Sequence, residues 1–574
     1  MRAPYSRTLF DLLCEMAQQD PGHEAVVSAG ERLSYGALRE RSLRVAAALS
    51  SLGLARGVPM GLLANNRAEW VAVCFGAAAL GTPLVAFNTW VKSWDLEYLL
   101  EHSRVRALVT LASLGRQDYL ASLRELVPEL WQQPPGRWRS PRYPHLRDVI
   151  VIGEAESFPA GARSYEGWLA EAARRFEPPA PGAGPSATDT AFVLYTSGST
   201  ARPKAVPLLH YASVENGFNI GERQGFTSAE RVLLSPPLFW SYGSANAMMA
   251  TMTHRATLVL QPEHDPAEAL RLIESERCTA IYTLPNITHA LVSHPDFDPL
   301  RTRTLRTGLT IGSPEQVRQA ALVLGAAELC NVYGSTETYG NCCVTPHDLP
   351  LDVRAACQGP PLPGVTVRAV HPETRRPVAE GEPGELEVHG YVTPGYADNP
   401  EENARAFTAD GFFRSGDMGW LDERGFVHYF TRANEMIKTG GINVSPLEVE
   451  AFLATHPAVL HVAVVGAPDA VRGEAVWAYV VPRPGQAPSP EALIAHCRDH
   501  MAGYKAPAHI ELCASLPLTD TGKLARKELK RRAAEQAAAL AAQQAAQQTA
   551  PQGTSRTLAR PARRSKAPSK GESR

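Results

Sequence analysis

The chain has 574 residues, 44% of them hydrophobic and 20% charged; this is enough apolar side chain for several cores at roughly 100 to 200 residues per domain, and it excludes disorder throughout. With 57 basic against 59 acidic side chains the formal net charge is −2, which gives no general attraction to nucleic acid or to an anionic membrane. The balance is uneven: residues 551–574 carry seven basic groups and one acidic group, a net +6, while the other 550 residues, with 50 basic and 58 acidic groups, stand at −8.

Residues 1–19 read as an amphipathic helix, because Asp11 and Glu15 fall inside the apolar stretch 9–16 and no signal peptide carries charge there. Segment 70–87 has no charge, but Gly76, Gly81, Thr82 and Pro83 interrupt it. A helix, a turn and a short buried strand over 84–87 are expected, and no transmembrane segment. Up to about residue 175, helical stretches such as 35–52 alternate with apolar runs at 60–63, 107–111 and 149–152. That alternation predicts an α/β region around a mainly parallel sheet.

Pro178, Pro179, Pro181, Gly182, Gly184 and Pro185 then form a flexible connector to a strand over 191–195. Strands at 231–234, 256–260 and 280–284, with a helix at 266–276, extend the architecture to about residue 345. Period-2 runs at 365–370, 384–388 and 425–429, joined by Gly-rich turns, predict a smaller β-rich subdomain over about 346–433 that completes a large domain, 1–433. A compact α+β module is expected over 434–530, with helices at 446–455 and 490–500 and strands at 459–465 and 475–481. Beyond Leu524 the Ala/Gln-rich run to Gln548 predicts an exposed helix, and the Pro-, Ser- and Gly-containing basic end predicts disorder. The nine cysteines form no C-x-x-C pair and no zinc-type spacing, which fits a reducing, cytoplasmic compartment, with Cys342 and Cys343 as small buried hydrophobes.

Chemistry concentrates in five runs. After the strand over 191–195 comes Thr196-Ser197-Gly198-Ser199-Thr200-Ala201-Arg202-Pro203-Lys204. Small residues let the backbone bend closely round an anion, the hydroxyls donate to phosphate oxygens, and Lys204 supplies a countercharge. It is not a Walker loop, because the G-x-x-x-x-G-K-[ST] spacing is absent and Ala205 follows the lysine. The run resembles the phosphate loop of the AMP-binding, adenylate-forming superfamily of acyl-CoA synthetases, carrier-protein adenylation domains and luciferases. Ala201 and Ala205 stand where that family usually has glycine.

Four further runs follow in family order. Asn331-Val332-Tyr333-Gly334-Ser335-Thr336-Glu337 groups an aromatic face, a hydroxyl and a carboxylate; the resemblance implies Tyr333 on adenine, Thr336 at the α-phosphate and Glu337 on Mg²⁺. Upstream, Gly312-Ser313-Pro314 resembles the wall of the adenine pocket. Ser415-Gly416-Asp417 with Arg432 downstream implies ribose recognition, although Asp417 alone reads equally as a hairpin turn. Lys438, Gly440 and Gly441 open the C-terminal module, with Asn434 at the hinge where Asp or Lys is usual. Pro517 to Lys523 precedes the last helix, and Lys523 is implied as the catalytic lysine, where the residues alone suggest a solvated one.

The resemblance implies an ATP-dependent carboxylate–CoA ligase acting on a fatty or aryl acid, with ATP, Mg²⁺ and CoA. Thr196, Ser197, Gly198, Ser199, Thr200 and Lys204 are the implied nucleotide-binding loop, in which Ser197, Thr200 and Lys204 hold the departing pyrophosphate, and Lys523 bridges the carboxylate and the nucleotide. Rotation about Asn434 then presents Lys438 and the Gly440-Gly441 strip to the pantetheine arm. Trp240, Tyr242, Gly243, Asn246, Thr310 and Ile311 are the candidate acid pocket, and Trp240 stands where the family often has histidine. The alternatives are a ligase loading a phosphopantetheinyl carrier protein and a catalytically idle AMP-binding scaffold. Neither the acid nor an oligomeric state is read from the sequence.

Overall fold

The computed structural model describes residues 7–153, 158–172, 184–196, 202–432, 436–517 and 524–549. The connector prolines Pro178, Pro179 and Pro181 with Gly182, and the basic end over 551–574, lie outside the described residues.

Helix Leu9–Gln19 starts at a capping box in which the Thr8 hydroxyl accepts from the Asp11 N–H and the Asp11 carboxylate accepts from the Thr8 N–H. Its Leu9, Leu12, Leu13 and Met16 recur at helical spacing and are buried. The uncharged segment becomes helix Ala68–Leu80, ended by Gly81 at φ 71°, and strand Leu84–Ala86. The helix is buried on nearly every side between other elements of the domain. Among the described residues no helix is long and apolar enough to cross a membrane.

Among the described residues the α/β alternation builds two sheets. One has seven strands, and its core strands Thr190–Thr196, Leu84–Ala86, Met60–Leu63, Ala107–Leu111 and Asp148–Ile152 run parallel. The other has eight, with Cys330–Tyr333, Thr307–Thr310, Ala280–Tyr282, Arg231–Leu234 and Thr257–Leu260 parallel. The second sheet also takes in the early hairpin of Glu24–Ser28 and Glu31–Ser34, through parallel pairing of Val26 with Leu258. One continuous hydrophobic core spans both sheets and their helices.

A four-stranded antiparallel sheet follows, Thr366–Val370, Gly384–His389, Phe413–Leu421 and Val427–Arg432. The C-terminal module is built on strands Ile437–Thr439, Ile442–Val444, Val459–Asp469, Gly473–Pro482 and His509–Leu512. The last helix, Arg526–Thr549, is not exposed along its whole length as the sequence suggests. Leu529 and Ala533 are buried against Ala463, Val465 and Trp477, so its first turns are part of the module.

Strand pairing leaves no room beside Gly308. It sits at φ 143°, and a Cβ there would lie 2.0 Å from the Ile281 carbonyl oxygen on the neighbouring strand. Gly308→Ala is therefore expected to lower stability by about 3 kcal/mol through combined clash and backbone strain, read as the midpoint shift in urea unfolding.

Candidate functional site

The carboxyl ends of parallel strands from both sheets face a cavity of about 1500 Å³, which the C-terminal module covers. Crevices at strand ends are the usual place for ligands in α/β folds. Tyr333 ends its strand with its ring stacked on Tyr429 at 5.7 Å between centroids, and its hydroxyl donates to Asp417 Oδ2 at 3.0 Å. Burial, reinforced by the Asp417 charge, holds the Tyr333 hydroxyl well above its ordinary pKa. Asp417 lies in strand Phe413–Leu421, paired in register with Arg432, and its N–H donates to Ser415 Oγ at 3.1 Å. Of Arg432 only the backbone is described.

Thr336 and Glu337 lie in a short 3₁₀ turn, Thr336–Thr338, stabilised by Ser335 and Thr338. Thr336 Oγ1 is 3.1 Å from Ser241 Oγ, and the buried Glu337 accepts from the Tyr396 hydroxyl at 2.9 Å. Lys204 begins the strand after the phosphate loop and is itself buried. Its ammonium pairs with Glu402 and lies 4.8 Å from the Tyr396 ring centroid. Glu402 is held by helix Pro400–Ala406, whose Asn399 cap accepts from the Glu402 N–H. Thus Tyr396 and Glu402, neither singled out from the sequence, tie the loop lysine to the acidic side of the cavity. No motif marks them; only the helix start at Asn399-Pro400 is legible nearby.

Gly312, Ser313 and Pro314 line the cavity, with Ser313 capping helix Pro314–Arg318. Asn331 does not reach it: fully buried, it donates to the Cys357 carbonyl at 3.0 Å and accepts from the Val332 N–H. Of the expected acid pocket, Trp240, Tyr242 and Ile311 line the cavity. Gly243, Asn246 and Thr310 are buried outside its lining. A Cβ at Gly243 would meet the Pro237 carbonyl at 2.2 Å, and Asn246 accepts from the Tyr282 hydroxyl. Trp240 stands edge-on to Trp90 at 5.2 Å, and Trp90 in turn to Tyr504 of the C-terminal module at 5.5 Å.

Lys438, Gly440 and Gly441 also line the cavity. Gly440 at φ 57° and Gly441 at φ 84° form the turn between strands Ile437–Thr439 and Ile442–Val444. Among the described residues, chain neighbours aside, no atom stands within 4 Å of a Cβ built at Gly440, and one at Gly441 would be 3.7 Å from Leu284 of the large domain. Lys438 lies 5.8 Å over the Tyr429 ring. Ser197, Gly198, Ser199, Thr200, Asn434 and Lys523 lie outside the described residues; Thr196 lies within them and lines the cavity. Cys342 and Cys343 are fully buried, and no cluster of three or more metal-ligating side chains occurs among the described residues.

Two mainly parallel sheets share one core, a separate C-terminal module covers the cavity at their strand ends, and an aromatic, a hydroxyl and a carboxylate gather there, an architecture of the adenylate-forming class. The chain belongs to the AMP-binding enzyme family: that family's model matches residues 13–397, and the AMP-binding enzyme C-terminal domain matches residues 448–523. It is 32% identical to the putative acyl-CoA synthetase YngI of Bacillus subtilis, over 92% of this chain and 97% of the relative. It is 31% identical to the mitochondrial medium-chain acyl-CoA ligase ACSF2 of Rattus norvegicus, over 92% and 88%. Among solved structures, the amide bond synthetase McbA of Marinactinospora thermotolerans superposes with a TM-score of 0.76 at 26% identity, covering 92% of this chain and 99% of that one. The anthranilate CoA ligase AuaEII with anthranoyl-AMP gives 0.67 at 27%, covering 94% and 100%.

The Lys204–Glu402 pair yields a test. From the sequence a polyphosphate is expected at Lys204; such an anion would compete with Glu402 for the ammonium, so Glu402→Gln would free a charge for it. We expect KM for ATP to fall roughly fivefold, the equivalent of about 1 kcal/mol, the net worth of a typical intramolecular hydrogen bond, measured by pyrophosphate release. A raised KM would show that Glu402 positions Lys204 rather than competing for it.

Proposed function

We propose that the chain is an AMP-forming carboxylate–CoA ligase that adenylates a fatty or aryl acid and passes the acyl group to CoA. The observation that carries this reading is the meeting of two sets of residues on one cavity: Tyr333, Thr336, Glu337 and Asp417 on the large domain, and Lys438 with the Gly440-Gly441 turn on the C-terminal module. The first set suits a nucleotide. The second leaves a strip without side chains, along which a thin pantetheine arm can lie against backbone. The acyl-CoA ligase relatives, matched over most of their length, support the same reading.

The acid is already a carboxylate at pH 7, so its attack on the α-phosphorus needs no general base. What it needs is position and charge relief. Asp417 accepts from the ribose hydroxyls, Thr336 donates to an α-phosphate oxygen, and Lys204, exchanged from Glu402, receives the β and γ phosphates with the hydroxyls of the loop. Glu337 is the carboxylate that would hold Mg²⁺: a single protein carboxylate beside substrate phosphates is how that ion is commonly bound. When bound, the ion screens phosphate charge. Lys523 bridges the entering carboxylate and the nucleotide. In the second step the CoA thiolate adds to the acyl carbonyl and AMP leaves. Trp240 has no basic nitrogen, so it serves as a flat wall of the acid pocket and not as a base for the thiol.

A panel of carboxylic acids tested by pyrophosphate release, with CoA or a phosphopantetheinylated carrier protein as acceptor, checks the class. Thioester formation on CoA is expected; activity with the carrier alone would move the chain to the carrier-loading ligases. The half-reactions should separate by lysine. Lys523→Ala is expected to lose acyl-adenylate formation yet still convert a supplied acyl-adenylate with CoA, and Lys438→Ala to do the reverse. Equal loss of both steps in both variants would overturn the division.

Trp240→Ala removes most of a side chain that lines the cavity. The variant is expected to accept bulkier acids and to release acyl-adenylate to water, with KM for ATP little changed. An unaltered acid profile in a stable variant would mean that Trp240 only packs.

A further inference from the structure

Asp95 belongs to the large domain, in the first turn of helix Ser93–Ser103, and is almost wholly buried. Its Oδ1 accepts from the Lys505 ammonium at 2.8 Å, and its Oδ2 accepts from the Ala502 N–H at 2.9 Å and the Lys92 N–H at 3.3 Å. Lys505 also donates to Glu448 Oε1 at 2.7 Å. Side-chain exposures are 6% for Lys505, 5% for Asp95 and 2% for Glu448. Burial alone would depress the Lys505 pKa, but Asp95 and Glu448 overcome it and hold that pKa well above the ordinary lysine value.

Lys505 and Glu448 are both in the C-terminal module, so they remain partners whichever way the module turns. Asp95 joins them only when the module is docked as described here. Glu448 opens helix Pro446–Leu453, seven residues after Gly441, so the ion cluster and the glycine turn are joined by one short, rigid stretch. Aromatic contacts surround it: Trp94 stands on Phe452 at 5.1 Å, and Asn88 donates to the Tyr504 hydroxyl at 3.3 Å. Arg202, at the exit of the phosphate loop, lies 4.7 Å over Trp94.

We infer that Asp95 is a positioning residue for the second half-reaction: through Lys505 and Ala502 it locks the C-terminal module in the orientation that lays Gly440-Gly441 over the cavity, and it takes no part in making the acyl-adenylate. The inference rests on the ligase reading above. Its chemistry is one of balance. Docking adds a second carboxylate to a neutral buried pair, and the two N–H donors on Asp95 Oδ2 offset the added charge. Removing the carboxylate leaves the Lys505–Glu448 pair intact inside the module but takes away what ties it to the large domain.

Asp95→Asn keeps the size and a hydrogen-bond acceptor for the helix start while removing the charge. With an acid that the wild type uses, acyl-adenylate formation trapped by hydroxylamine is expected to stay within about twofold, as for a site with no shared partner. Thioester formation from supplied acyl-adenylate and CoA is expected to fall roughly tenfold, in the usual range of a coupling between two states, and Asp95→Glu to recover part of it. A fluorophore pair, one on each domain, should report a larger mean separation in Asp95→Asn. Equal effects on the two steps, no effect on either, or an unchanged separation would overturn the inference. A wild type that makes no thioester with CoA defeats the ligase reading instead, and the fluorophore separation then decides the role of Asp95 by itself.

Discussion

Taking the ammonium of Lys505 out of water is tolerable only while carboxylates stay within hydrogen-bonding distance, because an isolated buried charge costs several kcal/mol. One of its two carboxylates, Glu448, travels with it; the other, Asp95, comes from a helix more than four hundred residues earlier in the chain. The place of the C-terminal module over the cavity therefore depends on a contact that neither part can make alone. Gly441 against Leu284 is set by the same docking. So are the aromatic contacts of Trp94 with Phe452 and of Trp90 with Tyr504. Apolar burial gives this interface its adhesion, and the ion cluster gives it a single register, since a buried lysine cannot slide past its partner without losing it.

The cavity under that module shows the complementary problem. On the proposed reading the site takes a polyanion, and it must hold its cation without one. Lys204 is buried, so its charge is balanced by Glu402 and by the face of Tyr396, whose hydroxyl is bonded to Glu337. Cation, ring and two carboxylates thus form one chain of contacts from the phosphate loop to the acidic turn. The arrangement is preorganised: the proposed exchange of Glu402 for phosphate would move only a charge partner, not the lysine.

Much of this was legible in the sequence. Period and turn chemistry located eight of the ten parallel strands named above, because those strands are short apolar runs between Gly, Pro and helix starts; Thr307–Thr310 and Cys330–Tyr333 were not located. The division into two sheets was not legible. Nor was the pairing of the early strand Glu24–Ser28 with Thr257–Leu260, a contact across more than two hundred residues that local pattern does not encode. The strand carrying Asp417 was also missed, since Asp417 taken alone reads equally as a hairpin turn; pairing with Gly384–His389 and Val427–Arg432 holds it extended. The motif residues Tyr333, Thr336, Glu337 and Lys438 come together on one cavity, while Asn331, Gly243, Asn246 and Thr310 are buried outside its lining. A motif marks which stretch of chain approaches a ligand, but alternate residues of that stretch point away from it.

Asp95, Glu402, Tyr396, Trp90 and Lys505 escaped the sequence reading for one shared reason. Each acts on a group from a distant segment, and none lies in a run whose composition is unusual. Trp90 shows what this means for the site. It touches Trp240 on the cavity side and Tyr504 on the module side, so this wall of the cavity and the docking contact belong to one packed aromatic group. Packed rings do not deform continuously, so a change in the size of residue 240 meets Trp90 before it meets solvent. Contact alone does not establish energetic coupling. A double-mutant cycle between Trp240 and Tyr504, read on thioester formation, measures whether the acid pocket and the docked module are independent or are one two-state element.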